Sequence, residues 1–222
     1  MRSAADPAGE WSAETPLFGA GKNPPAPYHR VAVDVNALDA SLKDTVVYTE
    51  PGALVHDGRL YLLLTALKPA LGLGGIGLDY SIILLASEDH GRSWRFAGTL
   101  LTMKDAHSFG YDHFDGTSLA VDGGRVFLLA VPGGARLMHD GCVAFEFALP
   151  AMNALRRDTL GHPIVANYFA PQPSLVSGPG AGQATYDPHN MSGGLLMPQF
   201  NLKAYPEVFQ IFQTKQSIQK AE

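Results

Sequence analysis

The chain has one cysteine, Cys142, in 222 residues. That excludes an internal disulfide and any zinc site built on cysteines. Charge is also scarce: charged residues make up 17%, the formal net charge is −5, and no basic cluster occurs. Nucleic acid needs a basic face, so no nucleic-acid partner is expected. No apolar run approaches the roughly 18–20 residues that cross a bilayer, so no membrane insertion is expected. The opening MRSAADPAGEWSAETP has no apolar h-region and does not read as a signal peptide as it stands, which leaves the compartment unassigned. Gly-x-Ser-x-Gly and HExxH are both missing. No cofactor is expected.

What the chain has instead is turn residues and apolar residues. Gly numbers 24, Pro 16, and hydrophobic residues 46%. This balance favours an all-β protein with many turns, and the length is enough to bury a sizeable core. Residues 1–27, ending in KNPPAP, read as a disordered or linker-like N-terminus; 28–222 read as the folded domain. HRVAVDV and DTVVYTE have strand character. In PGALVHDGRLYLLLTAL two apolar runs flank His56-Asp57-Gly58, a hairpin signal. TSLAVDGGRVFLLAVP repeats it: Arg59-Leu60-Tyr61-Leu62-Leu63 matches Arg125-Val126-Phe127-Leu128-Leu129, with one extra Gly expected in the second turn; ahead of that turn the period is 65, which sets Glu50 and Asp115 at matching repeat positions. YSIILLAS and the run from Trp94 to Leu101 form a further hairpin. GCVAFEFAL and HPIVANYF supply third and fourth strands of the second unit, with a helical turn or two expected over 148–158. ATYDPHNMSGGLLMPQF and EVFQIFQT begin a looser third copy.

Repeated four-stranded units joined by hairpins are the pattern of a β-propeller. A sandwich would also give many strands, but not the repeated hairpin. The innermost strands are expected at 52–56, 117–122 and 191–197. Three units and the strands of 28–49 make about three to four blades. Closed rings have at least about four, so the preferred reading is a chain lacking N-terminal blades. The alternative is closure by pairing 28–49 with the C-terminal strands.

One motif is specific. ASEDHGRSWRF holds Ser87, Asp89, Gly91, Ser93 and Trp94 at the spacing S-x-D-x-G-x-S-W, between the third and fourth strands of a unit. It resembles the Asp-box, or BNR repeat, of the sialidase-like β-propeller family. The resemblance covers roughly residues 28–218 at the level of blades and rests on this single motif. It implies a glycoside hydrolase, or a relative that binds a glycan or protein without turnover. It also implies that the Asp-box is architectural, on the outer part of its blade, with Trp94 largely buried. Asp89 is therefore not a catalytic candidate.

The axial ends of inner strands line a propeller's pocket. The stretches before them here are Tyr48–Pro51, Tyr111–Gly116 and Tyr186–Asn190, each with a Tyr and a carboxylate. Carboxylates and rings suit sugar cleavage: an acid protonates the leaving oxygen, a second carboxylate acts as base or nucleophile, and rings stack on the sugar. Asp115 is the first choice for acid/base, with the Phe114 ring expected to keep water from it. Glu50 is its partner, as base or as activator of a tyrosine. His113, Tyr111, Tyr186, Asp187 and His189 are the candidate substrate-binding residues, and the partner is a carbohydrate. The same acids also suit ordinary turns, beside Gly116 and Pro188, and both readings stand at this level. HSFGYDHFD does not define a ligand set, so no metal is expected, and the glycines of LGLGGIGLDY lack the strand–turn–helix setting of a phosphate loop. Sialidases hold the substrate carboxylate with three arginines. None of Arg59, Arg92, Arg95, Arg125, Arg156 and Arg157 stands at the start of an inner strand, which puts sialic acid in doubt as the substrate.

Overall fold

Two hairpins with the same turn organise the chain. In the computed structural model, which describes residues 8–10, 18–19, 32–72, 75–134, 141–170, 185–187, 194–200, 209–214 and 218, the protein is nearly all β, with antiparallel sheets and one short α-helix among those residues. A two-residue strand β1 (Phe18–Gly19) pairs in parallel with β2 (Val33–Asp34), and two 3₁₀ turns follow at Val35–Ala37 and Ala40–Leu42. The first sheet is a meander of β3 (Val47–His56), β4 (Arg59–Gly72), β5 (Gly75–Ser87) and β6 (Arg95–Thr102). Helix α1 (Met103–Ser108) leads to the second sheet, made of β7 (His113–Asp122), β8 (Arg125–Gly133), β9 (Cys142–Glu146) and β10 (Val165–Phe169). The third comprises β11 (Thr185–Asp187), β12 (Gly194–Phe200) and β13 (Phe209–Thr214).

The hairpin register corrects the repeat alignment. His56 pairs with Arg59 and Asp122 with Arg125, so both loops have two residues and the second holds no extra glycine. Asp57 and Gly58, and likewise Gly123 and Gly124, all have positive φ, as the favoured two-residue hairpin turn requires. The first two units are therefore offset by 66 positions, His56 to Asp122.

In the first two sheets the first strands start earlier than expected for one reason. β3 runs through Glu50 and Pro51 as a bulge between Thr49 and Gly52; β7 runs through Gly116 and Thr117 as a bulge between Asp115 and Ser118. A bulge interrupts the period-2 pattern without ending the strand, so the segments before 52 and 117 are strand, not loop. In the third sheet, 194–200 is the second strand and Thr185–Asp187 the first. The segment 148–158 holds turns and isolated bridges, Phe147 to Leu155 and Arg157 to Pro163, in place of a helix. The helix is α1 instead. Thr102 accepts from the Asp105 amide while the Asp105 carboxylate accepts from the Thr102 amide, a complete capping box. Arg157 then donates to Asp105 at 2.6 Å and fastens the helix to the second sheet.

The sheets stack face on face, which is why β4, β5 and β8 read as continuous apolar runs. Leu63, Ile82 and Leu84 meet Leu128, Ala130, Val143 and Phe145 between the first two sheets. Phe127, Leu129, Cys142 and Ala144 meet Phe169, Leu195 and Ile218 on the other side of the second sheet. Burial pushes the Cys142 thiol up to about 12, so it is an inert core group. Leu62, Leu64, Ile83 and Leu85 pack with Val35 and Leu42 on the outer face of the first sheet. The first strands of successive sheets abut: β7 lies against β3 on one side and β11 on the other.

Candidate functional site

The S-x-D-x-G-x-S-W turn joins β5 to β6. Asp89 Oδ1 accepts from the Ser87 hydroxyl and the Ser93 amide, both at 2.8 Å, and Oδ2 accepts from the Ser93 hydroxyl at 2.6 Å. The Gly91 amide donates to Ser87 Oγ at 2.8 Å, and His90 and Gly91 take the positive φ that closes the turn. Trp94 donates from Nε1 to the Gly91 carbonyl at 3.1 Å and meets Phe18 edge-on at 5.2 Å. It is half-buried, less than expected, because its indole edge stays in the turn while its ring covers the outer face of the sheet. The bonds from Ser93 and then Ser87 hold the Asp89 carboxyl down at about 2. Asp89 is consumed by its own turn.

Seven strand residues, Ser81 to Ser87, separate this turn from Tyr80, roughly 20 Å at strand rise. At the Tyr80 end, polar groups from four strands converge. Glu50 sits in the β3 bulge with φ +53. Its Oε2 accepts from the Thr65 hydroxyl at 3.0 Å and from the Gly116 amide at 2.7 Å, which ties β3 to β4 and to the bulge of β7. The Thr117 hydroxyl donates to the Glu50 carbonyl at 3.4 Å. Gly52 permits this contact, since a Cβ there would lie 2.8 Å from the Thr117 carbonyl oxygen. Asp115, one residue before Gly116, has its Oδ2 3.3 Å from His113 Nε2. The His113 ring stacks on Tyr80 of β5, centroids 4.3 Å apart and planes 24° apart.

The electrostatics agree with one cluster. The Asp115 hydrogen bond raises His113 above the usual imidazole range, burial works against it, and the charges of Asp115, Asp112 and Glu50 add to the rise. Burial raises Tyr80, with Asp115 and Glu50 adding to it. Glu50, His113 and Asp115 are therefore brought together, and Tyr80 joins them. Tyr80 heads YSIILL, the third strand of its sheet. It stands within a third strand and not before a first one, where pocket residues are expected.

Tyr111 and Phe114 belong elsewhere. Side chains alternate along a strand, so Phe114 turns from His113 and Asp115 to the opposite face of β7, where it is 3% exposed and meets Phe145 edge-on at 5.5 Å. It does not screen Asp115. His113 stands beside that carboxylate instead. Tyr111 lines an apolar cleft of about 470 Å³ with Phe109, Phe114, Val143, Val165 and Tyr168. Tyr186 and Asp187 lie on β11, which runs beside β7; their side chains and His189 lie outside the described residues. The acids also do not recur at matching positions. With the offset of 66, Glu50 matches Gly116, which has φ +54, and Asp115 matches Thr49. Among the described residues, no group of three or more His, Cys, Asp or Glu is arranged to hold a metal, and no helix is long and apolar enough to cross a membrane.

No protein-family model matches the sequence, and no curated protein matches it. Solved structures similar to it include a GH43 enzyme from Xanthomonas citri complexed with xylotriose, at 18% identity and a TM-score of 0.42, over 68% of this chain and 39% of that one. A family 117 glycoside hydrolase from the marine bacterium Zobellia galactanivorans is 15% identical, with a TM-score of 0.48 over 78% of this chain and 45% of that one. A Bombyx mori GH32 β-fructofuranosidase in complex with sucrose is 12% identical, with a TM-score of 0.45 over 71% and 30%. The chain thus spans less than half the length of each. Likeness at this level decides neither the fold nor the chemistry.

Proposed function

We propose that this chain is part of a sialidase-like β-propeller with four-stranded blades, and that it processes carbohydrate as a glycoside hydrolase. The observation that carries the reading is the convergence of Glu50, Asp115, His113 and Tyr80 where first strands of adjacent sheets abut. Two carboxylates from separate blades, one anchored by a backbone amide, give the pair that glycoside cleavage uses: one to exchange a proton with the leaving oxygen, the other to act as base, nucleophile or stabiliser of the oxocarbenium-like transition state. Tyr80 and His113 offer a ring surface beside them.

A sugar without a carboxylate fits this reading best. Arg59 and Arg95 pair with Glu88, Arg125 and Arg156 with Glu146, and Arg157 with Asp105. None of these five is turned to the cluster. In this reading Tyr186, Asp187 and His189 also bind the substrate, since β11 runs beside β7.

The test is turnover of a panel of aryl glycosides, neutral and sialic, by the parent chain and by Asp115→Asn. The substitution keeps the shape of the side chain and removes proton transfer, and turnover should fall by about 10²-fold or more. An unchanged rate on a substrate the parent hydrolyses would remove Asp115 from the reaction. No turnover by the parent on the whole panel would favour a propeller that binds a glycan or protein without cleaving it.

A further inference from the structure

His113 is held on three sides. Its ring lies on the face of Tyr80. On β8 its cross-strand neighbour is Gly133, where a Cβ would come within 2.5 Å of Nε2 and 2.8 Å of Cε1. Any side chain at 133 would therefore displace the imidazole. In the remaining direction Nε2 faces Asp115 Oδ2 at 3.3 Å. Both side chains are largely withdrawn from water, 22% and 13% exposed, and a charge-assisted bond in such a setting is stronger than one at the surface.

We propose that His113 is the positioning residue for Asp115: clamped between Tyr80 and Gly133, it fixes one orientation of the carboxylate and keeps it ionised, so that Asp115 serves as base or charge stabiliser and not as proton donor. This rests on the carboxylate-pair reading of the site. It departs from an Asp115 kept dry by Phe114, because that ring lies on the other face of β7.

The groups facing His113 are Asp115 on its own strand, Asp112 just before it, Glu50 on β3 and Tyr80 on β5; Gly133 on β8 brings no charge. The three carboxylates all favour the imidazolium. The folded protein thus binds the His113 proton more tightly than the unfolded chain does. The resulting stabilisation is complete below the ordinary imidazole range and is lost as pH rises through the higher folded value. Removing the imidazolium withdraws a donor from ionised Asp115, so the Asp115 carboxyl should then titrate at higher pH.

Two independent readouts test this on the full chain. In the first, the His113 ring is titrated by nitrogen-15 NMR. It should titrate above the ordinary range in the parent chain and fall back toward that range in Asp115→Asn, which removes the largest cause of the rise. Tyr80→Leu and Gly133→Ala, which remove one side of the clamp each, should lower it too. An imidazole indifferent to Asp115→Asn overturns the proposal whether or not any glycoside is cleaved. In the second, on a substrate the parent hydrolyses, His113→Gln keeps a donor and loses the charge, so the acid limb of kcat/KM should move to higher pH. His113→Phe should lose more activity than His113→Gln. Coupling by NMR with no turnover would sink the hydrolase reading and keep the positioning role; turnover with an unmoved acid limb would do the reverse.

Discussion

Gly52→Ala is the most direct test of how the first two sheets meet. Gly52 needs no unusual backbone angle; what it needs is room. An added Cβ would stand 2.8 Å from the Thr117 carbonyl oxygen and 3.0 Å from the Ser118 Cα, both backbone atoms of β7. Thr117 is fully buried and Ser118 nearly so, so neither can withdraw cheaply. Overpacking of this kind costs about 1–3 kcal/mol. Relief comes from moving β3 off β7, and that stretches the 2.7 Å bond from the Gly116 amide to Glu50, a charge-assisted bond of about 1.5–3 kcal/mol. The combined loss is about 2.5–6 kcal/mol, which lowers the melting temperature of a chain this size by roughly 5–24 °C. The assay is urea and thermal unfolding beside Gly58→Ala. Gly58 has φ +74 and no atom within 4 Å of its added Cβ, so that variant bears only the left-handed backbone cost of about 1–2 kcal/mol. Should Gly52→Ala lose less than Gly58→Ala, the close approach of β3 and β7 is wrong, and the joining of Glu50 to Gly116 with it.

Asp89, held at about 2 by Ser93 and Ser87, has a folded value below its ordinary 3.8. Its contribution is complete above 3.8 and fades as pH falls toward 2, so urea midpoints of Asp89→Asn should depend less on pH across that window than those of the parent; parallel curves would contradict the turn geometry. Glu50→Gly should be more stable than Glu50→Ala by about 1–2 kcal/mol in chemical unfolding, because both lose the same hydrogen bonds and only alanine keeps the left-handed cost; equal stability would argue against φ +53 at this position.

Legibility in the sequence followed the range of the interactions. The hairpins at Asp57-Gly58 and Gly123-Gly124 are local: turn chemistry and two-fold alternation sit within a few residues, and the strands around them stand where the pattern put them. The β9 and β10 runs were legible for the same reason. The α1 signal was local as well, Thr102 and Asp105 spaced as a capping box, but a helix of six residues has too little periodicity to stand out among strands. The bulges were not legible, because two residues facing one look like the end of a strand. The extra glycine assigned to the second turn then shifted the repeat by one, from 66 to 65, and that shift set Glu50 opposite Asp115. The partnership of Tyr80 with His113 crosses from one sheet to the next. Tyr80 is level with Leu67 of β4 and, through it, with Val47 at the start of β3, so what brings it to His113 is the packing of the first sheet against β7 and not strand length. Packing of that kind leaves no trace in spacing.

The corrected offset changes what the recurrence means. At equivalent places in two bulges the backbone takes the same left-handed turn, φ +53 and φ +54. The second unit fills it with Gly116, which costs nothing sterically; the first fills it with Glu50, which costs about 1–2 kcal/mol. A strained residue of this kind persists where its surroundings over-determine it. Here they do: Thr65 and Gly116 donate to its carboxylate and Thr117 to its carbonyl. A glycine at 50 would serve the fold with less strain but would supply no carboxylate beside Tyr80 and His113. Asp89, by contrast, is unstrained, and its carboxylate is taken up by three bonds in its own turn. Of the two acids, the one in the conspicuous motif serves local geometry, and the one in an unremarkable run of Tyr-Thr-Glu-Pro carries the strain, the inter-sheet bonds and the place in the cluster.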